Sequence, residues 1–335
     1  MRVLIDELRE THNLPDEAIR QLLETGDGSA VQYLHDSARE VAVAQFGRTV
    51  KLRALIEWSN VCRNDCLYCG IRRSTGVTRY TLAKDEILAC CEHAWNLGLK
   101  TFVLQGGENP AAAKALAPTV AEMRASWPEA AITLSLGELP YDTYALLRRS
   151  GANRYLLRHE SASPRLYARL HPAEMRLENR LACLRTLREL GYETGAGMMV
   201  GAPFQTVGDL VEDIRFLSEF QPDMVGVGPF VPHPDTPLGT SPAGSVSLTL
   251  RIYSILRLML PHANIPSTTA LSSLRTDART AGILAGANVL MPNFTPLRVR
   301  ASYDLYAGKN ASGVEAEENL QRIQQELNKI QYSYV

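Results

Sequence analysis

Eight short apolar runs separated by helix-forming stretches constrain this 335-residue chain more than any other feature. The runs are Leu52–Trp58, Thr101–Gly106, Ala131–Leu136, Arg154–His159, Thr194–Val200, Asp223–Phe230, Asn264–Thr269 and Asn288–Met291. Two glycines loosen the fifth. Helical periodicity fills the intervals, over Lys84–Leu97, Ala112–Ser126, Tyr141–Ser150, Leu177–Leu190, Val207–Glu219, Thr249–Leu260 and Arg275–Ala285. Apolar strands that alternate with helices belong to a parallel sheet covered by those helices. Eight such units over about 240 residues match the size of a complete (β/α)8 barrel of the TIM type. An open doubly wound sheet with fewer strands is the competing architecture.

Before the first strand the chain reads as helices, one capped by Asp16 and running to Leu23, another capped by Ser29 and running to Val43. No Gly/Ser linker or shift of composition marks a boundary. The expected organisation is a helical extension over 1–47, a barrel over 48–306 and a tail over 307–335. The tail is expected to be helical over Val314–Ile330 and to pack outside the barrel.

Composition excludes several classes. Charged residues make up 21% of the chain and the net charge is −1, which leaves no footprint for nucleic acid or a polybasic membrane patch. No apolar run reaches the roughly 20 residues of a membrane span. The acidic, amphipathic start is unlike a signal or transit peptide. A cytoplasmic protein with no nucleic-acid or membrane partner is expected.

The cysteines carry the chemistry. Cys62, Cys66 and Cys69 have the spacing C-x3-C-x2-C on the loop after the first strand. Three thiolates on one loop hold three irons of a cubane cluster and leave the fourth iron open, since such clusters otherwise take four cysteines. A zinc site wants a second pair of ligands, and His93, the nearest histidine, stands on a helical stretch. Six cysteines are sparse for a disulfide framework. Cys90, Cys91 and Cys183 read as buried small apolar residues.

Other polar runs also fall at strand ends, where a parallel barrel collects its active site. They include Gln105-Gly106-Gly107-Glu108, Gly137-Glu138, Arg158-His159-Glu160, His233-Pro234-Asp235, Thr268-Thr269 and Met291-Pro292-Asn293.

The cysteine spacing, with Tyr68 directly before the third cysteine, resembles the radical S-adenosylmethionine (SAM) superfamily. The resemblance implies one 4Fe–4S cluster held by Cys62, Cys66 and Cys69, with SAM chelating the open iron. SAM needs acceptors for its amine and ribose, donors for its carboxylate and an apolar surface for its adenine. Gly106, Gly107 and Glu108 are similar to the "GGE" element used for the amine, with Gln105 beside them. Arg158, Glu160 and Arg180 are candidates for the carboxylate, ribose or amine. Arg158 and Glu160 are two apart and share one side of a strand. Met291 reads as an adenine-facing residue.

Further runs are similar to the HydE-type maturases of FeFe-hydrogenase. They include Ile56-Glu57-Trp58-Ser59-Asn60-Val61-Cys62, Tyr155-Leu156-Leu157-Arg158-His159-Glu160, Asn288-Val289-Leu290-Met291-Pro292-Asn293, and Tyr303 and Tyr306 in Tyr-Asp-Leu-Tyr. Biotin synthase and methylornithine synthase are related families. The HydE resemblance implies action on a cysteine-bound iron dicarbonyl cyanide unit made by HydG, with the product passing to the scaffold HydF. It also implies a reductant such as flavodoxin or ferredoxin. Thr133, Thr268 and Thr269 become candidate anion-binding groups, with satisfaction of neighbouring backbone as the structural alternative. Many HydE proteins carry three more cysteines near the C-terminus; this chain has none beyond Cys183, so a single cluster is expected. Two other functions stay open: a HydE-like or methylornithine-synthase-like enzyme acting on an amino acid or small thiol, and a non-catalytic iron–sulfur carrier.

Overall fold

The first apolar run forms two strands, β1 (Thr49–Leu52) and β2 (Ala54–Ser59), and every residue of β2 is buried. The computed structural model describes residues 1–309 and 315–335. The strands that follow are β3 (Thr101–Gly106), β4 (Ala131–Ser135), β5 (Arg154–Leu156), β6 (Glu193–Ala196), β7 (Met199–Val200), β8 (Met224–Val225), β9 (Gly228–Pro229), β10 (Val289–Leu290) and β11 (Ser333–Tyr334). A parallel sheet runs in the order β2-β3-β4-β5-β6-β8. Parallel bridges from Met224 to Asn264 and from Pro266 to Val289 carry it onward, β10 pairs with β1, and Leu55 bridges Asn293. The sheet thus returns to where it began, as the (β/α)8 reading expects. Helices such as Lys84–Asn96, Leu177–Glu189, Val207–Phe220 and Val246–Met259 cover it.

Register places the interior layers. Glu57 pairs with Gln105, and Gln105 with Ser135. Leu55, Val103 and Thr133 form the layer beneath, because side chains two apart on a strand share a face.

The second half departs from the sequence reading. The fifth run splits into β6 and β7, and the sixth into β8 and β9. A Cβ on Gly197 would lie 2.0 Å from the Gly226 oxygen, so these breaks are close backbone approaches that side chains would forbid. The fourth strand stops at Leu156 instead of His159. The seventh run forms no regular strand: Pro266 has no N–H for a ladder, and Thr269 opens the helix Thr269–Leu274. β11 was not expected; it pairs in parallel with β1, Thr49 opposite Ser333.

The N-terminal helices Arg2–Thr11, Asp16–Glu24 and Gly28–Phe46 pack on the outer helices Val207–Phe220 and Val246–Met259. Gly28–Phe46 buries Ala30, Leu34, Ala38 and Ala42, four residues apart on one face. Its cap is Asp27, whose carboxylate accepts from Ser29 N and Ala30 N, and not Ser29. Asp16 is the first residue of its helix, after Pro15, and places a carboxylate at the positive helix end instead of capping it. The tail helix is Ala316–Lys329 and buries Leu320, Ile323 and Leu327; Val314 lies outside the described residues. Among the described residues no helix is long and apolar enough to cross a membrane.

Candidate functional site

The cysteine loop leaves β2 at Ser59 and is held by its neighbours at nearly every turn. The Arg79 guanidinium donates to the carbonyls of Asn60, Ile71 and Arg72. Asp65 accepts from Arg72 and Ser74. A strap of residues 302–309 bonds to the loop, and several of its residues line the same cavity. Asn60 Nδ2 donates to Ser302 O, Gly70 N to Leu305 O, and His233 faces Asp304 at 3.0 Å. Gly70 has no room for a side chain, because a Cβ there would lie 1.9 Å from Asp304 O.

This loop forms one wall of a cavity of about 330 Å³ at the C-terminal ends of the strands. That size suits an organic cofactor and exceeds the needs of one ion. Cys62, Cys66 and Cys69 all line it. All six cysteines are free. Burial pushes the Cys69 thiol up to about 12 and Cys66 well above its ordinary value, and each feels the charge of its neighbours. Only a cation would keep these three groups together as thiolates. Among the described residues no three His, Cys, Asp or Glu side chains converge on a point that could hold a single metal ion. A lone zinc needs that convergence, whereas a cluster takes one thiolate per iron. The donor set fits an iron–sulfur cluster.

Of the other residues singled out from sequence, Tyr68, Gln105, Gly106, Gly107, Glu108, Arg158, Glu160, Arg180, Thr268, Thr269, Met291 and Tyr303 line the same cavity. Thr133 is not among the lining residues; it is buried in the layer below, and its hydroxyl has no hydrogen-bond partner. Gly106 and Gly107 must be glycines, since a Cβ would lie 2.4 Å from Trp58 Nε1 and 2.6 Å from Val61 O respectively. Their compactness brings β3 against the start of the cysteine loop. Both Glu108 oxygens are engaged: Arg63 donates to one at 2.9 Å and Glu138 N to the other at 2.7 Å. Arg180 is buried, with Nε 2.9 Å from Glu138. Arg158 meets Glu160 at 3.0 Å. Strand alternation does not cause this pairing, because β5 has already ended. Glu160 instead takes a left-handed φ of 66° that turns its side chain back toward Arg158.

Glu138, one of the strand-end residues read from sequence, anchors Arg180. Sequence reasoning missed other residues here. His171 packs edge-on to Tyr68, with Nε2 3.1 Å from the phenol. Its Nδ1 faces the Tyr167 carbonyl, so Nε2 is the acceptor, and burial lowers its pKa to about 3. Lys309 forms a buried ion pair with Glu57 and lies over the Tyr303 ring; Glu57 also accepts from Asn293 at 3.0 Å. Glu57 had a signal, as an acidic residue inside an apolar strand requires a partner. Lys309, in a polar tail, had none.

Comparison with known proteins then decides the family. The Radical SAM superfamily model matches residues 56–217. The [FeFe] hydrogenase maturase subunit HydE of Thermotoga maritima is 45% identical over 310 residues, 92% of this chain and 88% of the relative. The chain belongs to the radical SAM superfamily, in its HydE-type branch. More distant is the 3-methylornithine synthase of Methanosarcina acetivorans, 28% identical over 89% of this chain and 86% of its own. The crystal structure of methylornithine synthase (PylB) superposes with a TM-score of 0.86 at 26% identity, covering 99% of this chain and 97% of that one. This HydE-type chain is therefore a radical SAM enzyme, and its family implies a 4Fe–4S cluster and SAM.

Proposed function

We propose that this HydE-type chain acts on a cysteine-bound iron dicarbonyl cyanide precursor in maturation of FeFe-hydrogenase, with a single 4Fe–4S cluster on Cys62, Cys66 and Cys69. The 45% identity to HydE over nearly the whole chain carries this reading. When bound, the reduced cluster and SAM supply one-electron cleavage of the sulfonium and a 5′-deoxyadenosyl radical.

The protein's part is to bind, orient and exclude water. Arg180, fixed by Glu138, offers its guanidinium to the SAM carboxylate. Glu108 is already occupied by Arg63 and Glu138 N, so the backbone of Gly106 and Gly107 is the surface offered to the amine. Glu160 accepts from the ribose, and Tyr68 and Met291 give apolar area to the adenine. Thr268 and Thr269, with Arg158 in the same cavity lining, face the anionic precursor. Gln105 donates to the Tyr303 hydroxyl at 3.3 Å and keeps that ring against the cavity wall. HydG would supply the precursor, HydF would receive the product, and flavodoxin or ferredoxin would reduce the cluster.

The similarity to methylornithine synthase over the full length of both chains favours one other reading, an amino acid or small thiol as substrate. Anaerobic SAM turnover by the reconstituted, reduced enzyme separates the two. Fast turnover with adenosyl transfer only when the iron complex is present supports the maturase. Slow release of 5′-deoxyadenosine regardless of the complex moves the substrate to the amino-acid class.

A further inference from the structure

Among the described residues that line the cavity, Glu160 alone is a non-glycine residue with a left-handed φ. A side chain of that size stays in such a conformation only when its surroundings over-determine it. The surroundings here converge on one group. Asp213, on the helix Val207–Phe220, is completely buried. Its Oδ1 accepts from Ala162 N at 2.5 Å and faces His159 Nε2 at 3.2 Å; its Oδ2 is 3.5 Å from Ser161 Oγ. These three partners flank Glu160 on both sides.

The other edge of the turn is equally tied. Gly197 N donates to His159 Nδ1 at 3.3 Å, which leaves Nε2 as the protonated nitrogen aimed at Asp213. Glu160 N donates to Gly197 O at 3.0 Å, and Met199 N to Glu160 O at 3.1 Å. Gly197 can serve this role only without a side chain, because Gly226 O occupies the place of its Cβ. Residue 160 is thus clamped between a helix and the broken end of β6, with its carboxylate the one free-standing part, against Arg158.

We propose that Asp213 is a positioning residue for SAM, holding the turn that aims the Glu160 carboxylate into the cavity. This rests on Glu160 being a SAM contact. Asp213 is not a lining residue of the cavity, so its effect passes through Glu160.

The test is a double-mutant cycle on the SAM dissociation constant of the reconstituted holoenzyme, with iron content measured on every variant. Asp213→Asn should raise the constant about tenfold at unchanged iron content, the scale of loss seen when groups that orient a binding residue are removed. Glu160→Gln should raise it at least as much. The double variant should bind no more weakly than Glu160→Gln alone, because the two act as one unit. Additive losses would overturn the proposal by showing that Asp213 merely supports the fold, and so would an unchanged constant in Asp213→Asn. If Glu160→Gln alone binds SAM normally, the assignment of Glu160 fails instead. Should Asp213→Asn not fold, His159→Gln removes one of the three bonds and enters the same cycle. A smaller rise is expected there, and additivity would again overturn the proposal.

Discussion

β2, β3 and β4 run five or six residues each and pair through nearly continuous ladders, whereas β7, β8, β9 and β10 are two residues long and pair through ladders of only two residues, linked onward by single bridges. The first group has its backbone polar groups satisfied by its neighbours, so it presents the cysteine loop from a stiff base. The second gives up ladder bonds where Gly197 and Gly226 touch. It gains in return a wall whose shape is set by turns, the Glu160 turn among them. A cluster ligand set tolerates little movement, while a substrate wall must match one particular molecule. On the proposed function, the two halves divide those tasks.

The largest effect expected from breaking the stiff half is at its loop. Cys66→Ala should abolish the 4Fe–4S absorption and SAM cleavage together, whereas Cys183→Ala, on an outer helix, should keep full iron content. The junction between the halves comes next. Lys309→Met strands a buried Glu57 carboxylate and should cost about 3–5 kcal/mol in a urea titration, most of it recovered when Glu57 is also made apolar. Gly107→Ala and Gly197→Ala each force a Cβ onto a backbone carbonyl and should each cost about 1–3 kcal/mol. They sharpen the comparison, because Gly107→Ala, next to Val61 and Cys62, should also lose iron, and Gly197→Ala should not. The smallest effect is acid sensitivity. Folded His171 takes up its proton only near pH 3, against an ordinary value of 6.5. Its contribution is therefore complete above 6.5 and lost as pH falls from there toward 3. His171→Gln should flatten that slope, read as the urea midpoint at neutral and mildly acidic pH.

The same division governs what could be read from the sequence. β3 and β4 begin where their apolar runs begin, because ladder strands and apolar runs coincide. The run Asn264–Thr269 looked like a strand, but Pro266 and the helix opening at Thr269 limit it to bridges at Asn264 and Pro266. Cys62, Cys66, Cys69 and the Gly106-Gly107-Glu108 element were legible as neighbours, because each run follows a strand that ends at the cavity they line. Arg158 and Glu160 were read as sharing one side of a strand, but β5 ends at Leu156 and a left-handed turn brings them together instead. Lys309, His171 and Asp213 were illegible, since each acts through a partner far away in the chain.

The strap has a consequence for the order of events in the cell. Residues 302–309 bond to the segment around Cys69, so translation finishes the cysteines long before it finishes the cavity wall beside them. That wall is complete only when Tyr303, Leu305, Tyr306 and Lys309 have been made. The thiols themselves stay partly exposed in the finished molecule, so iron and sulfide reach them from the cavity without parting Gly70 from Leu305. What waits for the last segment is therefore the enclosure of the cavity and not access to its cysteines.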